Sequence, residues 1–246
     1  MVQFSAVIIT EQIAATGDVL FRWRSYLPLL LLPVFIASLA DSRVHPPPVW
    51  EAGCFVVSLL GLAVRGFVVG TAPAGTSERG TRRPAAAVLN TSGAYSIVRH
   101  PLYLANALIF FGASLLPAAW YLPIIVVLAG LLYYERIAAR EEAFLLQRFG
   151  SQFTDWAAEV PAMVPRLSRY RPPATAFNLR KVITQECHGL FAIGAAFFVL
   201  DTIGRSLEAR AFSVDHRWLT VFVATGLVFA AAIVAKKRAA ARPAGS

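Results

Sequence analysis

A chain of 246 residues that is 57% hydrophobic and only 15% charged, with a mean hydropathy of +0.59, is not an ordinary soluble domain, in which about a quarter of residues carry charge. Its net charge of +9 does not read as a nucleic-acid surface, because the Lys and Arg residues sit in short segments flanking apolar runs, as membrane topology requires. Two cysteines, Cys54 and Cys187, both in or beside apolar stretches, speak against a disulfide framework or a metal site and read as buried thiols.

The first twenty residues are mixed and lack a basic leader. Arg22, Trp23 and Arg24 then precede an apolar run at 27–40 that is short for a spanning helix. Ser38-Leu39-Ala40 has the small residues of a signal-peptidase site, but the long extension before it favours a retained first helix. Pro46-Pro47-Pro48 is a stiff loop, and a second apolar segment at 52–71 is interrupted by Arg65. A polar loop at 72–94 carries Arg79, Arg82 and Arg83.

No charged residue lies between Pro101 and Tyr134. As helix that run is roughly 50 Å long, too long for one crossing and enough for a hairpin of two. Pro117 and Pro123 bracket its expected turn at Ala118, Ala119 and Trp120. Arg99 and His100 stand at the hairpin's entrance, and Glu135, Arg136, Arg140, Glu141 and Glu142 at its exit. The two polar clusters therefore meet on one side of the membrane.

After Tyr134 the pattern is amphipathic, with Ile137, Phe144, Leu145 and Phe149 at helical spacing and Gly150 as a cap. Four prolines and basic residues predict an irregular segment at the membrane surface over 151–175, and spans at 182–203 and 218–235 follow, closed by Lys236, Lys237 and Arg238. The expected architecture is an all-α polytopic membrane protein of about six transmembrane helices, with a central hairpin and a cytoplasmic cofactor site. With both termini inside, Arg43, Arg205, Arg210 and Arg217 fall outside, Arg65 within a span, and the rest of the 23 basic residues inside.

Each polar feature also has a plain reading. Arg99-His100 can be an interfacial cap, Glu141-Glu142 a solvated helix face with i,i+4 partners, and Arg65 a side chain that snorkels to the interface. His188 beside Glu186 reads as helix-end polarity.

Arg99-His100-Pro101-x-Tyr103 followed by Glu141-Glu142 resembles the isoprenylcysteine carboxyl methyltransferase and phospholipid methyltransferase superfamily of integral membrane enzymes. The downstream residues Leu145, Phe149-Gly150, Phe153, Trp156, Val160-Pro161 and Pro165 are similar to it as well, so the resemblance covers about 93–166. Ala105 stands where that motif usually has Gly, and Phe153 and Trp156 where Tyr is common. The loop Gly75-Thr76-Ser77-Glu78-Arg79-Gly80-Thr81, Asn90-Thr91-Ser92-Gly93 and Asn178-Leu179-Arg180-Lys181-Val182 are most similar to bacterial members that methylate a lipid A phosphate.

The resemblance implies S-adenosylmethionine as cofactor, bound by His100, Pro101, Tyr103, Ala105, Asn106, Glu141 and Glu142. Arg99, His100 and Arg65 take the catalytic roles, Arg65, Arg180 and Lys181 steer an anionic acceptor, and no metal is expected. Residues 1–94 would supply helices and a basic loop, 95–171 the cofactor-binding core, and 172–246 the C-terminal helices. The acceptor is a membrane lipid or lipidated group: a headgroup phosphate first, a prenylcysteine carboxylate or an amine headgroup as alternatives. The class alternative is a membrane scaffold or transport component. The expected location is a bacterial inner membrane, with no nucleic-acid partner.

Overall fold

In a computed structural model the described residues are 20, 27–41, 46–73 and 87–240, and every element of more than an isolated bridge among them is a helix. Arg22, Trp23, Arg24, Arg43 and the loop bearing Arg79, Arg82 and Arg83 lie outside the described residues. A 3-10 turn, Leu27–Leu31, leads into α1 (Leu32–Asp41); α2 is Pro48–Thr71, α3 Pro101–Leu115, α4 Tyr121–Phe149, α5 Ser151–Glu159, α6 Leu179–Ala209 and α7 His216–Ala240. Among the described residues four helices are long and apolar enough to cross a membrane: Pro48–Thr71, Tyr121–Phe149, Leu179–Ala209 and His216–Arg238. The other two of the six expected segments form shorter apolar helices, Leu29–Asp41 and Pro101–Leu115.

The starts and stops follow local chemistry. Pro48 opens α2, where a missing N–H costs nothing. Asn178 caps α6 by accepting a hydrogen bond from the Lys181 backbone N–H at 2.9 Å. Asp215 does the same for α7 through the Arg217 backbone N–H at 2.7 Å. The predicted hairpin turn is present: Pro117 is fully buried, and Ala118 reverses the chain with φ +55°, a left-handed conformation that costs an alanine more than a glycine. Two expectations need correction. The amphipathic stretch after Tyr134 is no separate helix but the continuation of α4, because nothing between 121 and 149 breaks the backbone ladder after Pro123. Residues 151–159 form α5, since the four prolines all lie beyond it. Gly150, at φ +53°, makes the sharp junction between α4 and α5.

The described residues divide into two compact units. One takes those of Met1–Leu32, Thr71–Leu104 and Val127–Ala176; the other takes those of Pro33–Gly70, Ala105–Val126 and Phe177–Ser246. In the second unit α2 and α3 approach closely. A Cβ added at Gly61 would lie 2.7 Å from the Ala105 carbonyl oxygen, and one at Gly112 would lie 2.8 Å from that of Cys54. Ser58 Oγ donates to the Ile109 carbonyl at 3.0 Å, and Trp50 Nε1 donates to the Leu115 carbonyl at 2.9 Å, satisfying an orphan acceptor at the end of α3. Phe55, Phe197 and Trp218 form edge-on and tilted ring contacts at 5.2–5.4 Å that join α2, α6 and α7. Cys54 and Cys187 are free and buried, as expected.

At one end of that unit a charged network is buried. Glu51, 2% exposed, accepts from Arg205 at 3.2 Å and from Trp218 Nε1 at 3.1 Å, and lies 3.4 Å from Arg217. Arg205 is also paired with Asp201 at 2.9 Å and Asp215 at 3.0 Å. The sequence placed Arg205 and Arg217 as outside-facing loop cations; here they are the counter-charges of three carboxylates.

Candidate active site

The segment before α3 is held by its backbone. Gly93, at φ +59°, pairs with Arg171 in an isolated antiparallel bridge. Ser96 Oγ donates to the Gly93 carbonyl at 2.7 Å and accepts from the Arg171 N–H at 2.9 Å. The Arg99 and His100 N–H groups donate to the carbonyls of Pro161 and Ala162, at 2.9 and 3.3 Å, and Arg166 N–H donates to Ile97 at 2.9 Å. Trp156 Nε1 reaches the Tyr95 carbonyl at 3.1 Å, and its ring meets the buried Phe153 edge-on. These are the two positions where the resemblance expected Tyr. Both act here as packing around the loop that delivers Arg99 and His100.

His100 immediately precedes α3, and its ring is buried. Nε2 lies 2.8 Å from Glu142 Oε1, and Nδ1 3.7 Å from Glu141 Oε2. Neighbouring residues on a helix diverge by about 100°, so two adjacent acids can address the two nitrogens of a single imidazole. Glu141 and Glu142 are therefore not an ordinary solvated face. Arg99 Nε stands 3.3 Å from the same Glu142 oxygen, yet is buried without a hydrogen bond. The His100 ring stacks on Tyr103 at 5.3 Å, and Tyr103 on Tyr134 at 5.0 Å. Tyr103 and Tyr134 lie almost equally far from the hairpin turn, which is why they meet.

Burial opposes a charge on His100, but hydrogen bonds and attraction from Glu141 and Glu142 outweigh it and raise its pKa above 6.5. The folded state thus binds the proton more tightly than the unfolded chain. The resulting stabilisation is full below pH 6.5 and disappears as pH rises through the raised value. Thermal melting of the solubilised protein should therefore fall from pH 6 towards pH 9 more steeply than that of His100→Gln. Parallel profiles would show that the imidazole is not held protonated.

Arg65 belongs to the second unit. Its Nε donates to Glu186 Oε2 at 2.9 Å, Nη2 to Glu186 Oε1 at 3.2 Å and Nη1 to Asn106 Oδ1 at 2.5 Å. Arg65 precedes the end of α2 by about as much as Glu186 follows the start of α6, roughly 9–11 Å along each axis. The arginine does not snorkel; a fork-shaped carboxylate pair holds it inside the apolar segment. Asn106, expected at the cofactor, is part of this layer, and Ala105 is fully buried facing Gly61. Arg180 is exposed and Lys181 half-buried in the first turn of α6. Sequence reasoning missed Glu186. The available signal was an acid at the same depth in its span as Arg65.

Apolar helices of spanning length, a His–carboxylate cluster where a hairpin begins and a charge pair inside a span are features of an integral membrane protein. Residues 79–152 match the family model described as phospholipid methyltransferase, a family within the isoprenylcysteine/phospholipid methyltransferase superfamily. The chain is 38% identical over 87 residues to the cobalt-zinc-cadmium resistance protein CzcN of Cupriavidus metallidurans, and 39% identical over 87 residues to the nickel-cobalt-cadmium resistance protein NccN of Alcaligenes xylosoxydans xylosoxydans. Each match covers 35% of this chain and 40% of the relative, so the chain spans well under half the length of either. No solved structure matches.

Proposed function

We propose that this protein transfers a methyl group from S-adenosylmethionine to an anionic acceptor lodged in the membrane, a lipid headgroup phosphate. The observation that carries the reading is the Arg99, His100, Glu141 and Glu142 cluster inside the family-matched segment. The cluster fits the cofactor. Arg99 Nε is a buried donor without a hydrogen bond, suited to a carboxylate. Glu141 and Glu142 are about a quarter to a third exposed, so their remaining lone pairs can receive an ammonium or ribose hydroxyls. Tyr103, stacked between His100 and Tyr134, holds the imidazole in place beside the two acids. When bound, S-adenosylmethionine supplies an electrophilic methyl group on a sulfonium.

A phosphate is already ionised and needs little general-base help, which suits a site whose histidine is held between two carboxylates. The protein's contribution is then to orient the acceptor and exclude water from it. Arg65, with donors left after Glu186 and Asn106, and Arg180 and Lys181 are the acceptor-steering cations. The metal-resistance names of the relatives agree with this choice, since methylation removes a negative charge from a phosphate that could otherwise attract divalent cations. One observation favours an amine headgroup instead: Glu186 already balances the charge of Arg65.

Mass spectrometry of lipid extracts from cells with and without the gene decides. A methyl group on phosphate in gene-bearing cells alone is the expected result. A methyl on an amine headgroup, or on a prenyl peptide in vitro with unaltered lipids, moves the acceptor to the alternatives.

A further inference from the structure

Between α5 and α6 the chain exposes what a water-facing loop normally hides. Val164 is 76% exposed, Leu167 74% and Tyr170 49%. They recur every third residue, before, in and after the short 3-10 turn Leu167–Arg169. Arginines alternate with them at 166, 169 and 171, all exposed. Glu159 is the acid that answers this charge, 2.9 Å from Arg169 and 3.7 Å from Arg171, and it is itself half-exposed. Pro165 and Pro172 stiffen the stretch at both ends.

The geometry points to this segment, 164–171, as an interfacial strap that rests on a bilayer rich in anionic lipid. Val164, Leu167 and Tyr170 enter the headgroup–acyl boundary, and Arg166, Arg169 and Arg171 lie on headgroup phosphates. Three observations carry the assignment. The strap and the short helix α5 before it together connect two helices of spanning length, Tyr121–Phe149 and Leu179–Ala209, which keeps the connection close to a membrane surface. Interleaved bulky apolar and basic side chains match that layer, apolar groups towards the lipid and cations among the phosphates. The strap and the residues just before it are also hydrogen-bonded to the loop of the candidate active site: Arg166 N–H donates to Ile97, and Pro161 and Ala162 accept from Arg99 and His100. Lipid contact therefore braces the backbone that presents Arg99 and His100, whatever the acceptor is.

The test uses the full chain reconstituted in vesicles, with Cys54 and Cys187 replaced by alanine and Leu167→Cys carrying an environment-sensitive fluorophore. In phosphatidylcholine vesicles containing phosphatidylglycerol, blue-shifted emission is expected, with quenching by lipid nitroxides placed near the glycerol. Quenching should be several-fold weaker in phosphatidylcholine alone. Arg166→Glu with Arg171→Glu should abolish that difference while helical content, read by circular dichroism, is retained. Water-like, unquenched emission in both vesicle types overturns the assignment. So does a blue shift that appears only when a soluble protein fraction is added, which would make the strap a protein-docking surface.

Discussion

Glu186→Ala should destabilise the folded chain by about 3–5 kcal/mol, the usual consequence of removing one partner of a buried ion pair and leaving the other uncompensated. Glu186 is 5% exposed and Arg65 14%, so little water reaches the orphaned guanidinium. Asn106 offers one oxygen in place of two. The loss is measured by chemical or thermal unfolding in detergent. Pairing Arg65→Met with Glu186→Leu should recover most of it, because two matched apolar side chains avoid the desolvation of both ions. A single-variant loss below about 1 kcal/mol would mean that the charge finds water, and that the two residues do not lock α2 to α6.

The second large effect falls on the cofactor. Glu142→Ala and Arg99→Ala should each weaken binding of S-adenosylhomocysteine by about 10–100-fold, as expected for losing one charge-assisted hydrogen bond worth roughly 1.5–3 kcal/mol. Calorimetry on detergent-solubilised protein reads this directly. The fold should survive in both, since the backbone of the site loop is held by Pro161, Ala162 and Arg166 rather than by either side chain. Glu142→Ala also removes the closer of the two carboxylates from His100, so its melting temperature should vary less with pH than that of the parent. Unchanged affinity in both variants would remove these residues from the cofactor site.

How much of this was legible depended on the kind of signal. The hairpin could be read because an uncharged run of that length has few folded solutions, and Pro117 and Pro123 mark where it must reverse. The meeting of His100 with Glu141 and Glu142 followed from the same arithmetic, since both ends of a hairpin lie together. The extent of α4 could not be read, because a change from apolar to amphipathic pattern resembles an element boundary even when the backbone continues. The role of 160–166 was hidden for another reason: its carbonyls hold the site loop, and carbonyls carry no residue identity. Glu186 was overlooked because pairing between distant helices depends on depth in the bilayer, which only aligned helix boundaries reveal. Phe153 and Trp156 stand where the resemblance expects Tyr, and it is their rings and the Trp156 N–H that make the contacts.

The buried network around Glu51 has a consequence for the surroundings the protein tolerates. Its member outside the spanning helices, Asp215, is held by a hydrogen bond from Arg217 against the opposing effect of burial, and its pKa falls from 3.8 to about 2. A depressed carboxylate contributes stability that is present above its unfolded value and is lost only as pH falls through the folded one. For Asp215 that window lies between about pH 4 and pH 2, below the pH of most habitats. Protonation of this carboxylate therefore leaves the α6–α7 corner intact until the pH approaches about 2.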